Sequence, residues 1–325
     1  MSNISVKGRA LLAAVVVAVS ACGGSSPETD GLQGIENPDP DTFGAQVASY
    51  EPVVGAPDRL LVGLVAGTGE IVGFGSVRFD LAYGGTRDEP LDEAVVELSA
   101  EAGYQLVAGQ PAPQDTSGPR LMAPSDGLGV YGTDVQFDRP GFWVVRVVAV
   151  VDGDEIEAAA TFEVFESPRN PFPGEAVPRT DNRMPGDPSV DPKAIDSRAA
   201  PDGSIPDPEL HALTVADAID LKRPTMIVVS TPVYCISRFC GPITDTVQSL
   251  ANEFGDQMSF IHIEVWNDFE GHALNREAAE WIYQDGEDAK EPWVFLIGAD
   301  GKVLRRWGNV VTDTELTEAV ASVLG

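Results

Sequence analysis

The sequence predicts two folded units of different class, an all-β sandwich over residues 56–166 followed by an α/β unit over residues 211–325. Three observations carry this. Residues 60–164 contain short apolar runs separated by turn signals and no helical periodicity. Residues 211–325 alternate helix-spaced and strand-like segments. Between them, residues 167–210 are too rich in proline and aspartate for a helix or a central strand.

The chain opens with a targeting segment. Lys7 and Arg9 precede the apolar run Ala10 to Val19, too short to span a bilayer as a mature helix. The run ends in Val19-Ser20-Ala21-Cys22, which resembles the lipobox of bacterial lipoproteins. The resemblance implies cleavage after residue 21, acylation at Cys22 and anchoring on the extracytoplasmic face of the cell membrane. Several acyl chains hold stably, at roughly 0.8 kcal/mol per buried methylene. An ordinary secretory signal is the alternative, and it leads to the same oxidising side of the membrane, where cysteines pair. Loss of residues 1–21 removes Lys7 and Arg9 and no acid, so the net charge of −30 becomes −32. Such a field argues against nucleic acid as a partner. Residues 22–55, rich in Gly, Ser, Pro, Asp and Glu, are expected to be a flexible tether.

In the sandwich, Leu60–Val65, Ser76–Tyr83 and Glu93–Leu98 read as strands; Val77, Phe79 and Leu81 alternate with Arg78, Asp80 and Ala82. Tyr131–Phe137 leads through Asp138-Arg-Pro-Gly141 to Phe142–Val151, and Asp152-Gly153 signals a hairpin returning along Ile156–Phe165. The Tyr131 to Trp143 segment is similar to the closing strands of immunoglobulin-like modules, which implies an immunoglobulin-like sandwich. This unit has no histidine or cysteine, so docking or spacing is its expected role. Residues 167–210 are expected to form an extended, semi-rigid linker that could reach more than ~100 Å. Phe172 and Met184 interrupt its polar text and leave open that part of it packs on the next unit.

The α/β unit starts with a short helix from Thr214 through Ile219. Strands are expected at Met226–Thr231, Met258–Val265, Trp293–Ile297 and Val303–Trp307, the last two joined by the turn Ala299-Asp-Gly-Lys302. Ile243, Val247, Leu250, Ala251 and Phe254 have helical spacing after Pro242, a residue suited to a first turn. A further helix is expected over Asn275–Tyr283, and Thr312-Asp-Thr-Glu315 is a capping box opening a last helix through Leu324.

Cys235 and Cys240 are the only cysteines besides Cys22, and they stand between the first of these strands and the helix after Pro242. Val228-Val-Ser-Thr-Pro-Val-Tyr-Cys235, the distance from Cys240 to Phe254, and Glu291-Pro292 ahead of a strand together resemble a thioredoxin-like domain. The resemblance implies thiol–disulfide exchange with extracytoplasmic protein thiols or disulfides: Cys235 attacks, Cys240 resolves, and Pro292, as the family's cis-proline, faces the dithiol. Tyr234 stands where the family has a tryptophan, and Arg238 and the helix start would lower a thiol pKa from about 8.5. Two features depart from the family. The spacing is C-x4-C, and Val229 occupies the position of the buried acid.

Two alternatives stay open. One is a binding or scaffold lipoprotein with a structural disulfide, worth only about 2 kcal/mol for so short a loop. The other is a copper chaperone using Cys235, Cys240 and a histidine, with His272 the candidate because it follows the loop Asp268-Phe-Glu270. His262, between Ile261 and Ile263, reads as a half-buried packing residue. The exchange reading needs no cofactor.

Overall fold

The computed structural model describes residues 3–4, 42–110, 116–285 and 288–325. The expected lipidation site, Cys22, and most of the targeting segment lie outside the described residues. Asn3–Ile4 pairs with Val95 and Ala94. No helix among the described residues is long and apolar enough to cross a membrane.

The described residues of the first unit are mostly sheet, with one 3₁₀ turn at Pro124–Asp126, compatible with a β-sandwich. Neighbouring strands run in the order Asp154–Val164, Gly141–Val151, Ser76–Gly85, Ala94–Leu106, Gly129–Val135, Asp58–Ala66, Ile71–Gly73 and Arg120–Met122. The sheet closes over a core of Leu60, Val62, Phe79, Leu81, Tyr131, Phe137, Trp143, Val145, Val147 and Phe162. Alternation places Val77, Phe79 and Leu81 inside as expected. Asp80 is buried as well, where it accepts from Ser99 Oγ (2.7 Å) and Arg146 Nη2 (2.7 Å).

The expected tether is shorter than its composition suggested. Phe43–Val47 is a strand paired with Asp58–Ala66, and Glu51 and Val53 are buried. Phe43, Ala45 and Val47 supply a period-two pattern that the surrounding polar text obscures.

Two phenols sit in this core's upper layer. Tyr131 donates to the Phe74 carbonyl and Tyr104 to the Gly127 carbonyl, each at 2.8 Å. Burial holds both pKa values well above the usual phenol range. The unfolded chain therefore ionises first, from about pH 10, and binds fewer protons than the folded one. Stability is expected to be flat below about pH 10 and to fall as pH rises beyond it. Urea midpoints measured across that range check this, and Tyr104→Phe should flatten the decline.

The second unit has a four-stranded mixed sheet in the order Ser259–Glu264, Thr225–Ser230, Trp293–Ile297, Val303–Gly308. The first pair is parallel and the other two antiparallel. Helices α1 (Val215–Asp220), α2 (Cys240–Phe254) and α3 (Asp313–Leu324) flank it. Thr312 and Glu315 form the expected capping box on α3, and Thr214 with Asp217 forms a second on α1.

Within one central strand, Met226 and Val228 pack against α2 and α3. Ile227 and Val229 face the opposite layer, with Val215, Trp266, Trp281 and Ile282. Both faces are covered, which is why the strand reads as an unbroken apolar run.

Two expectations are corrected here. Asn275–Tyr283 is not an α-helix; it holds a single 3₁₀ turn, Ala278–Glu280. Side-chain demands override helical spacing: Asn275 Nδ2 donates to the carbonyls of Glu264 (2.7 Å) and Ala194 (3.0 Å), and Trp281 Nε1 donates to Thr180 Oγ1 (2.9 Å).

Residues 167–210 are not an extended spacer either. They wrap the second unit, burying Val177, Ala194, Ile195, Asp196, Ala199 and Leu210. Backbone bonds from Gly174 and Val177 to Val303 and Gly301 cover the sheet edge. The aspartates fold the segment instead of solvating it. Asp187, Asp191, Asp196 and Asp202 each accept from the backbone N–H two residues on. These are Asx turns, which replace the local hydrogen bonds that proline denies.

The two units share apolar packing. Leu61, Val107, Ala108 and Val130 of the first join the α2–α3 layer of the second. Ala108 N–H donates to the Val311 carbonyl, and Asn309 Nδ2 to that of Ala48. Arg59 spans the junction, reaching the Val310 carbonyl at 2.7 Å and Glu315 at 3.1 Å.

Candidate functional site

The strand Thr225–Ser230 delivers the chain to Pro232, and the loop that follows returns it into α2 with Cys240 in the first turn. Cys235 and Cys240 are disulfide-bonded, with Cα atoms 6.0 Å apart. Cys235 is half-buried and Cys240 fully buried. Ser237 Oγ lies 3.2 Å from Cys235 Sγ. Arg238 is exposed, in a left-handed conformation (φ 63°). A guanidinium on a mobile stem at the surface contributes less to a thiolate than the aligned amides of the α2 N-terminus.

The loop carries apolar groups on its outside. Ile236 is 82% exposed and Val233 54%, unusual values for such side chains. Tyr234 stacks flat on Phe269, with centroids 4.2 Å apart and planes at 4°. That fixes the wall beside Cys235.

Across the disulfide stands Glu291-Pro292, whose peptide bond is cis. A carboxylate oxygen of Glu291 and both sulfurs lie within 4.8 Å of one another. Val229, at the position of the family's buried acid, lies in the apolar layer with Trp293 and Phe295. The acid comes from the other side of the fold. Its signal was available: placing Pro292 at the dithiol places its neighbour there too.

Tyr50, from the N-terminal unit, also reaches this corner. Its hydroxyl donates to the Glu291 carbonyl, and its ring packs 5.8 Å from that of Trp293. Burial, then the nearby Glu291 charge, raise its pKa well above the phenol range, so it remains a donor. Nothing in its sequence surroundings marked Tyr50.

His272 is exposed and packs near Trp266 and Phe269, with ring centroids 6.4 Å from each. It is not among the residues gathered at the two sulfurs, where Glu291 offers the third donor atom. His262 is fully buried, not half-buried, and lies elsewhere, with Asp196 and His211.

No family model matches the chain, and no curated protein does. A solved structure with similarity is that of BslA, described as a bacterial hydrophobin. It is 11% identical, with 39% of this chain and 95% of that one covered, at a TM-score of 0.20. A score that low carries no argument about fold or function.

Proposed function

We propose that the chain is a lipid-anchored, extracytoplasmic thioredoxin-like protein that exchanges disulfides with other envelope proteins through Cys235 and Cys240. The observation that carries the reading is the bridge itself. It sits at the N-terminus of a 15-residue helix, with Cys235 half-buried, Cys240 fully buried, and a Glu291-Pro292 corner opposite. The sheet order, with one parallel and two antiparallel pairs around the strand that leads to the cysteines, supports a thioredoxin-like unit. An immunoglobulin-like sandwich ahead of it would serve for docking.

In the oxidising direction, a partner thiolate attacks Cys235 Sγ, the Cys235–Cys240 bond breaks, and Cys240 leaves as a thiolate. A second partner thiolate then attacks the mixed disulfide and releases Cys235. The partner's two thiols become a disulfide, and its two protons end on Cys235 and Cys240. Cys240 leaves at the α2 N-terminus, where the helix amides favour its charge. The exposed Ile236 and Val233 offer a partner an apolar landing beside the half-buried Cys235.

With Cys22→Ser and Cys240→Ala in the otherwise full mature chain, a mixed disulfide through Cys235 is expected on envelope partners, abolished by Cys235→Ala. A reduction potential below about −300 mV, with no trapped partner, would instead mark a structural bridge in a scaffold protein.

A further inference from the structure

Beside the end of the strand Thr225–Ser230, which leads to the cysteines, lies a group of side chains that the exchange chemistry does not use. Asp196 comes from the segment before the second unit, His211 from its first turn, and His262 from the edge strand Ser259–Glu264. All three side chains are fully shielded from solvent. His211 Nε2 and His262 Nδ1 are 3.4 Å apart, and each is 3.5 Å from Asp196 Oδ2. Three donor atoms thus stand at the corners of a nearly equilateral triangle.

That spacing is poor for hydrogen bonding and good for metal binding. A charge-assisted N–H···O bond closes to about 2.7–2.9 Å, and a neutral one to about 3.0 Å. Every edge of this triangle is longer. Ligands about 2.0–2.1 Å from a tetrahedral zinc ion stand about 3.3–3.4 Å from one another. The three edges match that figure to within about 0.2 Å.

Two of the three side chains have the outer partners of metal ligands, whereas His211 Nδ1 is buried with no hydrogen-bond partner. His262 turns its other nitrogen, Nε2, to the Ser230 carbonyl at 3.1 Å. A hydrogen bond there places the proton on Nε2 and leaves the Nδ1 lone pair facing the triangle, as in metal-bound histidines generally. Arg198 holds the Asp196 carboxylate in place through Nε (3.1 Å to Oδ1) and Nη2 (2.8 Å to Oδ2). The guanidinium charge is shared with Asp207 and Asp245, so it does not belong to Asp196 alone.

We propose that Asp196, His211 and His262 form a buried site for a zinc-like divalent cation, with a water molecule as its fourth ligand. The ion clips the segment before the second unit to the edge strand of its sheet. Two imidazoles and one carboxylate are donors of the borderline hardness that zinc takes, and no thiolate is needed. Its coupling to folding follows from the donors' origins, which meet only in the folded chain. The inference is independent of whether Cys235 and Cys240 exchange disulfides.

The test uses the mature chain with Cys22→Ser, purified without a polyhistidine tag from medium supplemented with zinc or cobalt. About one metal ion per folded chain is expected after gel filtration. The cobalt form should show the visible bands of a tetrahedral ion without sulfur-to-metal charge transfer. Retention should survive Cys235→Ser with Cys240→Ser and be lost with His211→Gln or His262→Gln. A folded chain that retains neither ion, or a metal content that follows the cysteines, overturns the proposal. Should the histidine variants not fold, the cobalt spectrum and the cysteine variant still decide.

Discussion

A chain beginning at His211 is expected not to fold, although composition places the start of the second unit there. Such a chain lacks Val177, Ala194, Ile195, Ala199 and Leu210, all buried in the structure. Burial of such side chains contributes up to about 1.5–3 kcal/mol for the larger ones. Polar losses add to this. Trp281 Nε1 loses Thr180, the Val215 N–H loses the Asn182 side chain at 2.8 Å, and Asn275 loses the Ala194 carbonyl. A typical domain has only about 5–15 kcal/mol in total. Circular dichroism of residues 211–325 should show no cooperative thermal transition, whereas residues 42–325 should melt cooperatively. If the short chain melted within a few degrees of the long one, residues 167–210 would be a mere spacer after all.

Arg306→Ala is expected to cost about 3–5 kcal/mol, the range for removing one partner of a buried ion pair. The Arg306 side chain is 4% exposed and that of Glu51 0%, with Nη1 and Oε2 2.7 Å apart. The guanidinium also lies 4.5 Å from the Phe172 ring centroid and 5.2 Å from that of Trp293. It therefore joins the end of the expected tether, the proline-rich segment and the sheet. Alanine leaves the Glu51 carboxylate buried, with Arg169 as its remaining cation. Combining Arg306→Met with Glu51→Gln removes both charges and should recover most of the loss. Urea midpoints check both variants. A loss under about 1 kcal/mol for Arg306→Ala would mean that water screens the pair.

Much of the framework was legible because its signals are local. The alternation of Val77, Phe79 and Leu81, the Asp152-Gly153 turn and the Thr312/Glu315 capping box each act within a few residues. The corrections came where a segment's partners are distant. Phe43–Val47 is too short and too isolated in polar text to declare itself, and it becomes a strand only against Asp58–Ala66. Residues 275–283 have helical spacing, yet Asn275 and Trp281 take their hydrogen bonds from chain about 80 to 100 positions away.

The site divides in the same way. From the sequence alone came the thiol pair, its position between strand and helix, and the neighbouring Tyr234 and Arg238, because strand, turn and helix signals there are contiguous; Pro292, distant in the chain, came through the family resemblance. Glu291 could be reached only through Pro292. Tyr50 and Asp196 could not be reached, since each arrives from a segment whose composition reads as tether or linker, and His211 opens the second unit with no local pattern that marks it. Local sequence determined most of the elements and where the cysteines sit along them. Only the tertiary structure decided which acid faces the sulfurs and which histidines meet, because those pairings depend on how distant segments close over the sheet and not on any neighbour in the chain.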